Sequence, residues 1–290
     1  MDNLILHDAT REQLQAFLAS PSHALLLTGP TGIGKTTVAE AIASTLIGAP
    51  LASHPYHLLI NYAFIEPEKP SIPIEAVREL QKFLLLKTTG SNHLRRTVIV
   101  EDAHRMTTEA QNAFLKLLEE PPVDTLIILT AISPRMLLPT ILSRTQHITV
   151  NVPTEEQLQP LIEKSPDKDA AKQAYFLSGG LPGLFSALLN DGQDHPLAAS
   201  VNLAKEVLQK QPFERLAMVD ALSKQKEAVQ GLIEALERIA QAGLRGAAAK
   251  HDTARLKQWH KVRKSVLTAQ AALQNSTNAK LILDNLFLNL

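Results

Sequence analysis

Gly29-Pro30-Thr31-Gly32-Ile33-Gly34-Lys35-Thr36 fits G-x-x-x-x-G-K-[ST] at every fixed position, and Thr37 follows. Glycines at this spacing let the backbone curl so that its N–H groups point inward at phosphate oxygens. The candidate nucleotide ligands are therefore Gly29, Thr31, Gly32, Ile33, Gly34, Lys35, Thr36 and Thr37. Lys35 brings a mobile positive charge for the β- and γ-phosphates, and the Thr36 hydroxyl can ligate Mg²⁺. A phosphate loop also needs acid nearby, one carboxylate for the metal shell and one to orient the attacking water. Glu101-Asp102 closes the apolar run Val98-Ile99-Val100 and supplies both. Glu101 stands in the metal position and Asp102 in the water-activating position. The chemistry implied is the binding of Mg²⁺·ATP, with or without its cleavage.

The flanking elements support that placement. Ala24–Thr28 reads as a short buried strand before the loop, and Val38, Ala39, Ile42, Ala43 and Leu46 recur at helical spacing after it. The new helix adds its positive dipole end to the loop. An amphipathic helix is expected over residues 9–19, and further strands at 56–60, 97–101, 125–130 and 146–150. A helix is expected from Ile74 to Leu86, after irregular chain marked by Pro67, Pro70 and Pro73. Another begins at Thr107 or Thr108, with Thr108 and Gln111 fitting a capping box, and ends at Pro121-Pro122. Strands alternating with helices imply a parallel sheet covered on both faces, with ligands at the carboxyl ends of its strands. Beyond Val150 no strand run is visible. Thr154 and Gln157 form a second candidate capping box, Ser178–Gly183 is a sharp break, and the rest is helical in pattern.

The 290 residues are 45% hydrophobic and only 4% aromatic, which implies a globular chain with an aliphatic core. Lys+Arg and Asp+Glu are equal at 29 each, so the chain lacks the basic balance of a protein that grips DNA alone. There is no cysteine, which removes disulfides and any Cys-based zinc site. His54 and His57 alone do not make a zinc site. No signal peptide and no membrane-length apolar run are read, so a cytoplasmic protein with no membrane partner is expected. Lys250, Arg255, Lys257, Lys261, Arg263 and Lys264 form a basic segment around Trp259, read as a solvated helix face with a core or interface aromatic.

Three segments narrow the class. Asp102–Thr107 runs into Gln111–Pro122, with Leu-Leu-Glu-Glu-Pro-Pro at its end, then come Leu138–Arg144 and Ser178–Gly183. This order resembles the AAA+ subunits of clamp loaders, most of all those of the bacterial DNA polymerase III delta-prime type. The likeness is strong over 20–150, fair over 151–190 and weak beyond, except in Asn278–Leu286. It implies an AAA+ α/β nucleotide-binding domain at 1–150, a small helical lid at 151–193 and an all-α collar for oligomerisation at 194–290. It also implies a mixed ring with delta and gamma/tau-type motor subunits. That ring opens a sliding clamp and places it on primer–template DNA, which this chain would meet through the assembled complex. The family's Ser-Arg-Cys motif offers its arginine to a neighbour's ATP. Here it reads Ser143-Arg144-Thr145, which makes Arg144 a finger acting in trans.

The departures matter too. Hydrolysing relatives place Asp before Glu at the acidic site, whereas this chain has Glu101 then Asp102. A misplacement near 1 Å can cost on the order of a hundredfold in rate. Pro182 falls where motor subunits carry a γ-phosphate-sensing arginine. The four-cysteine zinc module of many relatives is absent, and the sensor after the fourth strand is Thr130 or Ser133. Delta-prime chains of some bacteria have lost the phosphate loop that this one keeps. The expectation is thus a subunit that binds ATP and hydrolyses it slowly at most. The alternative is an autonomous AAA+ ATPase, either a motor subunit or a branch-migration helicase-like protein.

Overall fold

A computed structural model describes residues 4–61, 71–89, 92–189, 196–275 and 278–290. Pro67 and Pro70 lie outside the described residues, as do Met1–Asn3 and the expected boundary at 193/194. The chain forms two compact units, Met1–Leu158 and Gln159–Leu290.

The first unit alternates helix and strand. Its elements are α1 (Asp8–Ala19), β1 (Ala24–Thr28), α2 (Lys35–Ile47), β2 (His57–Ile60), α3 (Ile74–Leu84) and β3 (Arg96–Val100). After these come α4 (Thr108–Glu119), β4 (Thr125–Ala131), α5 (Pro139–Leu142) and β5 (Gln146–Thr149). The five strands order as β2-β3-β4-β1-β5, and every pairing is parallel. β4 sits between the loop-bearing β1 and the acid-bearing β3, pairing Leu25 with Ile128 and Val98 with Ile127. Every residue of β1, β3 and β4 is buried, as expected of strands covered on both faces. Thr10 anchors α1 to the far edge: its hydroxyl donates to the Thr149 carbonyl at 3.1 Å and accepts from Asn151 N–H at 2.9 Å.

Two local expectations need correction. Thr107, not Thr108, caps α4, accepting from Ala110 N–H at 3.2 Å. Gln111 then lies inside the helix and bridges loops instead: its amide donates to the Met106 carbonyl and its oxygen accepts from Leu138 N–H. α3 stops at Leu84 rather than Leu86. The cause is Arg96, which is only 2% exposed. Its guanidinium donates to the carbonyls of Leu84 and Leu86 and lies 5.5 Å from the centre of the Phe83 ring. A buried cation that closes the helix's free carbonyls offsets part of its desolvation through charge-assisted bonds.

The second unit is helical throughout its described residues. It holds the end of α6 (Glu155–Lys164), then α7 (Lys168–Ser178), α8 (Pro182–Leu189), α9 (Pro196–Gln209) and α10 (Pro212–Leu222). Three more helices follow: α11 (Lys226–Ala249), α12 (Thr253–Asn275) and α13 (Ala279–Asn289). Thr154 and Gln157 do form the expected reciprocal cap of α6. The break between α7 and α8 is made by Gly179 and Gly180, both at positive φ, and Pro182 opens α8. Arg215 repeats the device of Arg96, donating to the Val207 and Leu208 carbonyls at the end of α9. The main core joins Val201, Ala204, Val207, Val229, Leu232 and Leu236 to Ile282, Leu283, Leu286 and Phe287. Leu281, whose apolar neighbours Ile282 and Leu286 are buried, is itself 65% exposed. Its place is taken by Leu283 and Phe287, so the buried stripe lies about one residue further round the helix. No helix among the described residues is long and apolar enough to cross a membrane.

Trp259 of α12 is half-buried and lies over Gly243 of α11. A Cβ at Gly243 would stand 2.3 Å from Trp259 Cε2, while one at Gly246 meets nothing within 4 Å. Ala normally stabilises a helix interior over Gly by about 1 kcal/mol. Gly246→Ala is expected to gain part of that, whereas Gly243→Ala should lose about 1–3 kcal/mol through overpacking. Urea unfolding of both variants checks the opposite signs, and shifts of the same sign would contradict this packing.

Candidate phosphate-loop site

β1 ends at Thr28 and the chain turns at once into the loop. Gly29 N–H donates to the Ala131 carbonyl of β4 at 3.2 Å. A Cβ on Gly29 would stand 2.7 Å from the Val150 carbonyl oxygen, so no side chain fits there. Gly34 takes φ +92 at the N-cap of α2 and offers no side chain to that helix end. The first turn of α2 thus keeps backbone donors free for an anion.

Lys35 is buried, and its ammonium folds back to the carbonyls of Gly29 (3.0 Å) and Pro30 (3.2 Å). Burial pushes its pKa below the ordinary lysine value, while Asp102 and Glu101 oppose that shift. A cation pinned on two carbonyl oxygens and short of solvent suits an incoming phosphate. At the mouth of the neighbouring strands, Thr36 Oγ1 donates to Glu101 Oε1 at 2.6 Å. The other carboxylate oxygen of Glu101 accepts from the Asn61 amide. Hydroxyl and carboxylate at this separation are the hard oxygen donors that Mg²⁺ prefers.

Asp102 takes a different posture. It sits in the left-handed region at φ 48, ψ 49, uncommon for a residue other than glycine. Its N–H donates to Thr130 Oγ1 at 3.0 Å, and Thr130 is fully buried at the end of β4. Its carboxylate lies 4.0 Å from His104 Nδ1 and 3.8 Å from Arg105 Nε. Burial lowers the His104 pKa; Asp102 opposes this, and Arg105 and Lys35 add to it. Between the two sensor candidates, Thr130 joins the acidic turn. Ser133 is occupied in capping the short turn Pro134–Met136 by accepting from Arg135 N–H.

The structure therefore brings Lys35, Thr36, Glu101 and Asp102 together and leaves Arg144 elsewhere. Arg144 follows α5, is 35% exposed, and pairs with Glu119 at 2.7 Å. Its other nitrogen donates to the Thr140 carbonyl and to Ser143 Oγ. Asn61 was missed in the sequence. It directly follows β2, and the rule that ligands collect at strand carboxyl ends singles out that position. His54 and His57 bond Tyr56 N–H and the Thr97 hydroxyl respectively.

A parallel sheet in this order, with a phosphate loop after β1 and acid after β3, defines the AAA+ class of P-loop NTPase fold. The family model described as "DNA polymerase III, delta subunit" matches residues 7–154. The chain belongs to that family, and within it is delta-prime-like. It is 35% identical to DNA polymerase III subunit delta' of Pseudomonas aeruginosa over 210 residues, 67% of this chain and 63% of that one. It is 34% identical to subunit gamma/tau of Mycobacterium tuberculosis (strain H37Rv) over 140 residues, 43% of this chain and 24% of that one. The matches thus span less than two thirds of either relative. A DNA polymerase III gamma subunit-related protein of Thermotoga maritima shares the fold, with TM-score 0.55 and 21% identity over 97% of this chain and 98% of that one.

Three histidines in this unit have pKa values lowered by burial: His57, His104 and His147, the last 2.6 Å from Thr28 Oγ1. Each favours the neutral form when folded. Their contribution to stability is complete above the unfolded histidine pKa of about 6.5 and is lost as pH falls through the lower folded values. Unfolding free energy should therefore fall between about pH 7 and pH 5, and denaturant titrations that stay flat or rise across that range would contradict it.

Proposed function

We propose that this chain is the delta-prime subunit of a replicative clamp loader, holding Mg²⁺·ATP in its own loop and lending Arg144 to a neighbour. The observation that carries the reading is the Thr36–Glu101 contact at 2.6 Å beneath a loop whose lysine is already folded inward. The residues present fit the nucleotide. Lys35 and the N–H groups of Thr31, Gly32, Gly34, Thr36 and Thr37 take its phosphates, and Thr36 and Glu101 take Mg²⁺, whereas the expected donors Gly29 and Ile33 already give their N–H groups to the Ala131 and Pro30 carbonyls. When bound, Mg²⁺·ATP supplies a polarised γ-phosphoryl group. What this chain does with it is limited by Asp102. That side chain is a methylene shorter than Glu, its backbone is held at positive φ, and its carboxylate faces His104 and Arg105. A water-orienting group so placed supports binding over fast turnover.

Arg144 serves a second nucleotide. It is partly exposed and bonded to its own surface. An exposed ion pair of this kind is worth about 0–1 kcal/mol, so little opposes its transfer to a phosphate of another subunit. In this reading residues 151–193 act as a lid and 194–290 as a collar shared with delta and gamma/tau-type subunits. The ring so formed places a sliding clamp on primer–template DNA.

Lys35→Ala should weaken nucleotide binding by the purified chain at least tenfold in equilibrium titration and leave its assembly with partner subunits intact. Arg144→Ala should leave that binding unchanged while lowering hydrolysis by the reconstituted complex by roughly a thousandfold at the neighbouring site. Equal turnover with and without Arg144 would contradict the finger, and rapid turnover by the isolated chain would favour a motor subunit.

A further inference from the structure

α12 carries Arg255, Lys257, Lys261, Arg263 and Lys264, and no Asp or Glu anywhere between Thr253 and Asn275. The whole chain balances 29 cations with 29 anions, so this helix is a local departure from an otherwise neutral surface. Solvated helices normally mix signs, because Glu/Lys pairs at i,i+4 stabilise them and like pairs destabilise them by a few tenths of a kcal/mol each. Here Lys257 and Lys261 stand at i,i+4, and Lys261 and Lys264 at i,i+3. The cations also crowd the N-terminal half, where the helix dipole disfavours positive charge. The spacing of the three lysines costs helix stability, and no ion pair among the described residues offsets it.

The side chains lie on one face. Lys257, His260, Lys261 and Lys264 are all exposed, at the three- and four-residue steps that make one stripe. None of the three lysines makes an ion pair among the described residues. The carboxylates of adjoining elements are engaged elsewhere: Asp252 with Arg255, Glu234 with Arg238, Asp220 with Lys280, and Glu237 with Gln241. Asp284 lies close enough to Lys280 to raise its pKa further. An unneutralised, single-sign stripe calls for an anionic partner.

We propose that this face of α12 binds the phosphate backbone of duplex DNA without reading its sequence. Lys257 and Lys264 are seven residues apart, about 10 Å along the helix. Duplex DNA presents one charge per roughly 1.7 Å of axis, so the stripe spans enough phosphates to occupy all three lysines. Single strands are held by aromatic stacking as well as charge. The helix's one Trp, Tyr or Phe, Trp259, is half-buried with its ring against Gly243. A protein interface would need an apolar centre, and the basic stretch from 257 to 264 exposes none. This contact belongs to the second unit and uses none of the phosphate-loop residues, so it does not depend on the clamp-loader reading.

The test is fluorescence anisotropy of the full chain with a labelled mixed-sequence duplex. Three phosphate contacts predict a fall in affinity of about 40-fold between roughly 50 and 200 mM salt. The triple variant Lys257→Glu, Lys261→Glu, Lys264→Glu should lose measurable binding. A charge-matched control, Lys164→Glu, Lys168→Glu, Lys172→Glu on α6 and α7, should keep it. Lys→Gln at the same three α12 positions repeats the test if circular dichroism shows the Glu version unfolded. Absence of salt-dependent binding by the parent chain, equal loss in the control, or tighter binding of polyglutamate than of duplex would each overturn the proposal.

Discussion

The pairing of β4 between β1 and β3 is the constraint on which the rest of the site depends. Leu25 stands opposite Ile128 on one side of β4, and Val98 opposite Ile127 on the other. That double register sets the end of β1 two residues beyond the end of β3 along β4, Thr28 opposite Ala131 and Val100 opposite Leu129, and Thr36 lies at hydrogen-bond distance from Glu101. A slip of one residue would offset the loop from the acid by about 3.3 Å and turn every side chain of the slipped strand to the opposite face. β4 has seven residues, all buried between two covered faces, so such a slip would exchange the side chains packed on each face and force both to repack. The chemistry is local, but its alignment belongs to the sheet.

Cations are used in three distinct ways. Arg96 and Arg215 are buried and satisfy helix-end carbonyls, which fixes where α3 and α9 stop. Lys35 is buried, and its hydrogen bonds among the described residues go to the Gly29 and Pro30 carbonyls, which a phosphate can replace. Arg144 is partly exposed in a surface ion pair with Glu119, and the lysines of α12 are exposed. Burial and partner geometry separate these roles, although the residue types are the same.

The strands, their order along the chain and the loop-plus-acid pairing were legible because each rests on local pattern: five-residue apolar runs, a glycine spacing, acid at a strand end. The spatial order of the strands was not legible, since no local signal says that β4 inserts between β1 and β3. The errors have similar causes. Gln111 fits a capping box by spacing, but long-range bonds to Met106 and Leu138 claim its amide. The end of α3 was misplaced because Arg96, twelve residues beyond Leu84, sets it. Thr130 and Ser133 were equivalent in sequence, and only tertiary contact with Asp102 distinguishes them. Asn61 carries no motif of its own; the strand-end rule marks its position, and the adjacency of β2 and β3 brings it to Glu101.

On the proposed function this chain is one member of a mixed ring, with a nucleotide site adapted to holding and an arginine adapted to lending. Native mass spectrometry of the complex purified with a tagged copy of the chain from its own cells tests this most directly. The account predicts one copy in a mixed assembly with delta and gamma/tau-type subunits. A homo-oligomer, or a monomer that turns over ATP unaided, would contradict it.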